Sequence, residues 1–172
     1  MLFRSRDAVP GCAVEVLPSD FKGGERDIGT VLEAEPEVFA HNLETVRRLH
    51  GRIRPAFGYD RSLEVLRIAK RLRPTQITKS NLILGMGERP DEVGPALADL
   101  RDAGCDIVTM GQYLQPTPMH LPVDRWVPPE EFAEHKRIGE DLIGIPHIEA
   151  GPLVRSSYHA GEQYRRARAA VA

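Results

Sequence analysis

Four short apolar runs set between long amphipathic segments constrain this chain more than any other feature. They are Ala13 to Leu17 (AVEVL), Val38 to Ala40, Leu82 to Leu84 and Ile107 to Met110. Each is near-continuous rather than alternating, which predicts strands covered on both faces, as in a parallel sheet. Pro18 closes the first run, and Gly85-Met86-Gly87 and Gly111 close the last two. The polar Thr78-Lys79-Ser80 reads as the lead-in to the third.

Helical patterns fall between and after these runs. The periodicity predicts helices over Asp27 to Ala34, Ser62 to Arg73, Pro90 to Ala103, Pro129 to Leu142 and Gln163 to Ala172. Ser62 is placed to cap the second, and Arg71 and Arg73 suit its C-terminal dipole. Asp91 and Glu92 fall in the first turn of the third, and Gly104 is its C′ stop. Alternating strands and helices with long connections predict an α/β fold with parallel strands, either an open doubly wound sheet or part of a barrel. Four such steps are too few to close an eight-stranded barrel.

In both architectures chemistry collects at the carboxyl ends of the strands. The polar residues Asp20, His41-Asn42-Glu44, Gly85-Gly87-Glu88 and Gln112-Gln115 fall there. In an extended chain Asn42 and Glu44 face one ligand together, an amide and a carboxylate suited to a sugar diol. The alternative is a helix start with Asn42 as its cap. Gly85-x-Gly87-Glu88 either admits a ligand close to the backbone or is a plain turn. It is neither a dinucleotide fingerprint nor a P-loop. Gln115 to Pro129 carries five prolines and reads as an extended excursion, and Ile148 to Ala160 as a second one.

Composition narrows the function classes. With 172 residues, 41% hydrophobic and 28% charged, the chain suits one soluble domain. A formal net charge of -2 gives no general attraction to nucleic acid or anionic membrane. No apolar stretch approaches the roughly 20 residues of a membrane span. MLFRSRDAVPGC has no secretory apolar region, so a cytoplasmic location is expected. Arg155-Ser156-Ser157-Tyr158-His159 lacks the G-x-S-x-G elbow of a serine hydrolase. The six histidines show no zinc-protease spacing. The two cysteines, Cys12 and Cys105, form no C-x-x-C pair and cannot by themselves hold an iron–sulfur cluster.

Longer strings carry a resemblance. VPGCAVEVLPSDFKG, VFAHNLETVRRLHGRIRP and ITKSNLILGMGE resemble the third-, fourth- and fifth-strand segments of lipoyl synthases. IVTMGQYLQPTPMHLPVDRWVPPEEF and AGPLVRSSYHA are similar to segments near that family's C-terminus. The resemblance runs from about Pro10 to about Gly161. It implies part of the radical S-adenosylmethionine (SAM) partial (β/α)6 barrel, strands three to six. Residues 1–172 then form one domain, with core at about 10–145 and a C-terminal extension at about 146–172.

The family uses SAM and two 4Fe–4S clusters, held by C-x3-C-x2-C and C-x4-C-x5-C motifs, to insert sulfur at C6 and C8 of a protein-bound octanoyl group. The resemblance implies Ser157, with Ser156 as second choice, as hydroxyl ligand to the auxiliary cluster, and Arg155 as its charge-balancing neighbour. It implies Asn42 and Glu44 as SAM contacts, with Lys79, Gln112 and Gln115 as further pocket residues. The partner implied is an octanoylated lipoyl-carrier domain; neither nucleic acid nor membrane is expected. Val46-Arg47, Asn81 and RPAFGY depart from the family pattern. Neither cysteine motif occurs here. The chain is therefore expected to be a partial enzyme, inactive alone and completed by a separate N-terminal half. The alternatives are a non-catalytic remnant or a carrier-protein binding module.

Overall fold

A computed structural model describes residues 2–171. Five parallel strands form one sheet in the order β1 (Glu15–Val16), β2 (Val38–Ala40), β3 (Ile77–Leu84), β4 (Ile107–Gln112) and β5 (His147–Ala150). Spatial order equals chain order and every pairing is parallel. With right-handed crossovers, such a sheet is singly wound and keeps its connecting helices on one face. That resolves the two architectures in favour of a barrel segment over a doubly wound sheet.

The connecting helices are α2 (Glu25–Glu33), α3 (Arg47–Ile53), α4 (Tyr59–Leu72), α5 (Pro90–Asp102) and α6 (Pro129–Arg137); α1 (Leu2–Ala8) precedes the sheet. Side chains alternate across a strand. Phe39 therefore faces Ile28 and Leu32 of α2 and Val65 and Ile68 of α4. Leu82, Leu84, Val108, Met110 and Ile148 share a second cluster with Leu63, Leu97 and Leu100. Full burial of each such side chain stabilises the fold by roughly 1.5–3 kcal/mol. On the opposite, inner face, Val38, Ile77 and Ile107 pack against Ala167 of α7 (Ala160–Val171). No described helix is long and apolar enough to cross a membrane.

Several elements differ from the periodicity. β3 starts at Ile77, so Thr78, Lys79, Ser80 and Asn81 lie inside the strand, all buried. They are tolerated because each finds a partner: Thr78 on Asp106, Lys79 on Glu15, Ser80 on the Leu43 N–H and Asn81 on Thr109. Buried polar groups are stable only on that condition. β5 is a fifth strand where an excursion was expected. His147 and Glu149 occupy its inner face, so no apolar run marked it. Ser62 is not a cap, because α4 begins at Tyr59, and its hydroxyl donates to Gly58 O at 3.0 Å within the first turn. Tyr59 extends the helix by burying its ring and donating to Asp99 at 2.9 Å.

The fourth predicted helix ends early, passing into a π-helical turn over Ile138–Ile143 that closes on Gly144 at φ +83°. A side chain at Gly139 would collide with Ile148, so glycine lets this turn seat against β5. Gly104 takes the predicted C′ position after α5, at φ +80°.

Asp106 ties the helix layer to the central strand. Its Oδ2 accepts from Lys70 Nζ at 2.6 Å, Thr78 N at 2.8 Å and Thr78 Oγ1 at 3.1 Å. Asp106→Ala strands three donors in a nearly buried site and should destabilise the chain by roughly 3 kcal/mol. Urea unfolding followed by circular dichroism measures this. A loss below about 0.5 kcal/mol, the range of ordinary surface substitutions, would contradict the assignment.

Candidate functional site

The carboxyl ends of β2, β3 and β4 open into a cleft of about 480 Å³. Asn81 and Ile83 of β3 and Gly111 of β4 line it, with Asn42 and Glu44 from the turn after β2. Tyr113 to Pro116 contribute from the segment after β4, and Val154 to Ser156 from the segment after β5. Gly111 is required here: a Cβ would collide with the carbonyl of Val154, so only glycine lets the 151–156 segment cross the end of β4.

Asn42 and Glu44 do meet, though not by simple extension. Glu44 adopts φ +71°, an uncommon conformation for a residue with a side chain. Its N–H donates to Asn81 O at 2.9 Å and its carbonyl accepts from Ile83 N at 2.7 Å, prolonging the β2–β3 pairing by one bridge. Asn42 Nδ2 donates to Glu44 Oε1 at 3.1 Å, and the guanidinium of Arg54 holds the Asn42 carbonyl. A half-buried carboxylate and amide thus stand together at the cleft wall.

The remaining residues named from the sequence divide. Ser156 and Arg155 line the cleft, whereas Ser157 is exposed and lies outside its lining. Gln112 and Gln115 also line it, but their amides organise the proline-rich segment. Gln112 donates to Tyr113 O and Arg125 O and accepts from Val127 N; Gln115 donates to His120 O. Lys79 does not line the cleft. Its ammonium lies on the inner face, on Glu15 Oε2 at 2.9 Å and Ser156 O at 2.5 Å.

The Gly85-Met86-Gly87-Glu88 turn resolves to its structural reading. The buried Glu88 carboxylate accepts from Gly85 N and Met86 N at 2.7 and 2.9 Å and pairs with Arg125. A Cβ at Gly85 would collide with Gln112, so the close approach it permits is to the chain itself. Asn81, singled out in the sequence only as a departure, is a cleft residue. Its Nδ2 is fixed on Thr109 at 3.0 Å, while its Oδ1 has no partner. Glu15 was also overlooked as part of this region. Its carboxylate, solvent-accessible on β1, is the counter-charge of the buried Lys79 ammonium at 2.9 Å.

Iron–sulfur ligation finds no donor set here. Among the described residues no group of three or more His, Cys, Asp or Glu could hold a metal ion. The buried Cys105 thiol bonds Ile107 O, and burial pushes its pKa up, which disfavours the thiolate that binds iron. Cys12 stands apart on Ser5 O. The cleft supplies an amide, a carboxylate, the unpartnered Asn81 Oδ1 and an apolar wall at Ile83 and Leu114.

Sequence comparison identifies the relatives. No protein-family model matches the chain. The lipoyl synthase of Rubrobacter xylanophilus is 54% identical over 163 residues, 95% of this chain and 50% of its own length. That of Mycobacterium ulcerans is 58% identical over 159 residues, 92% of this chain and 48% of its own. That of Nocardia farcinica is 57% identical over 160 residues, 93% and 45% respectively. The chain matches the C-terminal portion of lipoyl synthases. It spans about half the length of these curated relatives.

His41, beside this turn, is 2% exposed, and neither ring nitrogen has a hydrogen-bond partner. Burial, then the nearby Arg54 charge, lowers its pKa to about 4. The unfolded imidazole takes its proton near 6.5, so the neutral folded form is favoured above that pH and loses ground as pH falls toward 4. Unfolding free energy should drop by on the order of 2 kcal/mol across this window, and His41→Gln should remove most of that drop. Imidazole NMR titration reads the same property. A His41 midpoint near 6.5 would refute it.

Proposed function

We propose that this chain forms the SAM- and substrate-facing part of a lipoyl synthase, acting in lipoate biosynthesis by sulfur insertion. The observation that carries the reading is the coincidence of two facts. Relatives named lipoyl synthase align over nearly the whole chain. Asn42, Glu44, Gln112, Gln115, Arg155 and Ser156 of the matched segments line one cleft at the strand ends, where an α/β barrel segment keeps its chemistry.

In this reading Asn42 and Glu44 bind the ribose hydroxyls and amino group of SAM, and Asn81 Oδ1 accepts a further hydrogen bond from it. SAM, when bound and cleaved, supplies the carbon radical of the family's chemistry. Gln112 and Gln115 act indirectly, by fixing the segment that walls the cleft. Ser157, with Ser156 as second choice, would offer a hydroxyl ligand to an auxiliary cluster, and Arg155 would balance its charge. The two cysteines, in neither motif, give this chain no set of cluster thiolates of its own. The acyl substrate is an octanoyl group on a lipoyl-carrier domain, modified at C6 and C8. A carrier-binding or non-catalytic role would retain the same fold without needing the Asn42–Glu44 pair.

Isothermal titration with SAM separates these readings. The chain should bind SAM, and Glu44→Gln should weaken binding at least tenfold, about 1.4 kcal/mol, without changing the far-ultraviolet spectrum. Absence of binding, or equal affinity in the variant, would remove Glu44 and this cleft from the account.

A further inference from the structure

Below the cleft, the inner face holds a cation that the lining does not explain. Lys79, the third residue of β3, is 1% exposed. Lysine is almost never fully buried unless paired, and its neighbours on this face show that apolar residues suit the site. Val38, Ile77 and Ile107 fill the adjoining layer against Ala167. An apolar side chain at 79 could fill space there but could not reach a carbonyl.

The Lys79 ammonium bonds the carboxylate of Glu15, two strands away in β1, and the carbonyl of Ser156, 77 residues further along the chain. The second bond stands out because of what Ser156 otherwise lacks. From Arg155 to His159 the other hydrogen bonds among the described residues are local. Arg155 reaches Val154 O, Tyr158 N reaches Arg155 O and Ala160 N reaches Ser157 O; Tyr158 O and His159 O accept from Glu162 or Gln163. Among the described residues, the bond from Lys79 is the one hydrogen bond from this turn to the sheet. A charge-assisted bond to a carbonyl is stronger than a neutral one, and Glu15 supplies the counter-charge that keeps the ammonium in place.

We propose that Lys79 is a positioning residue for the Arg155–Tyr158 turn. Held by Glu15, it fixes the Ser156 carbonyl and thereby sets where the Ser156 and Ser157 hydroxyls stand relative to the cleft. The proposal rests on the reading of that turn as part of the site. It reassigns Lys79 from contacting a ligand to placing a loop.

Hydrogen exchange followed by mass spectrometry on the full chain tests it. Lys79→Met should speed exchange of amides 154–160 at least tenfold while those of β3 and β4 stay within twofold of the unaltered protein. Unchanged exchange at 154–160 would overturn the proposal. So would equal acceleration throughout the sheet, which is the signature of general loosening. Should Lys79→Met fail to fold, NMR of the unaltered chain decides. The clamp predicts slowly exchanging Lys79 Nζ protons and a coupling from Nζ to the 13C-labelled Ser156 carbonyl. An Nζ exchanging as fast as that of the exposed Lys22 contradicts it. Loss of SAM binding by the unaltered chain would instead remove the functional reading and leave the clamp standing.

Discussion

Four consecutive polar side chains in the central strand must be buried, and their partners determine how the rest of the molecule is arranged. Thr78, Lys79, Ser80 and Asn81 alternate between the two faces of β3. Thr78 and Ser80 face outward, onto Asp106 and the Leu43 N–H, and so fix β4 and the turn after β2 to the strand. Lys79 and Asn81 face inward, onto Glu15 and Thr109. An unpaired polar atom at such depth costs roughly 1–3 kcal/mol, and an unpaired charge more. The segment is therefore stable only in the register that gives each of the four a partner.

That register has consequences at the strand ends. With β2 and β3 aligned at Ala40 and Lys79, Asn42 and Glu44 fall beside Asn81, and a left-handed turn at Glu44 completes one more bridge. With β3 and β4 aligned from Lys79 to Leu84, Gly111 lies at the cleft floor and accepts the 151–156 segment across it. α7 closes the lower part of the inner face, leaving the upper part as the cleft. The site thus follows from strand pairing, with the loops held to it by Gln112, Lys79 and two glycines.

Much of this was legible in the sequence because apolar runs and helical periodicity report burial directly. The apolar run Val38–Ala40 coincides with β2, and the periodic segment from Pro90 ends within a residue of α5. The convergence of Asn42 and Glu44 was also legible, from their shared position after an apolar strand. What escaped depended on partners distant in the chain. The polar start of β3 looked like a loop because Glu15, Asp106 and Thr109 lie 64, 28 and 28 residues away. β5 carries His147 and Glu149 inward and so lacks an apolar run. Gln112 and Gln115 line the cleft as the sequence suggests, but their amide partners are backbone atoms, to which residue type gives no clue.

The central claim is that the face at the carboxyl ends of β2 to β4 binds SAM in a lipoyl synthase-type site. Hydrogen exchange of the full chain with and without SAM tests it most directly. The account predicts slowed exchange at residues 42–44, 81–83, 111–116 and 154–156, with residues 73–77 at the opposite end of the sheet unaffected. Protection confined to that opposite end, or none at saturating SAM, would contradict it.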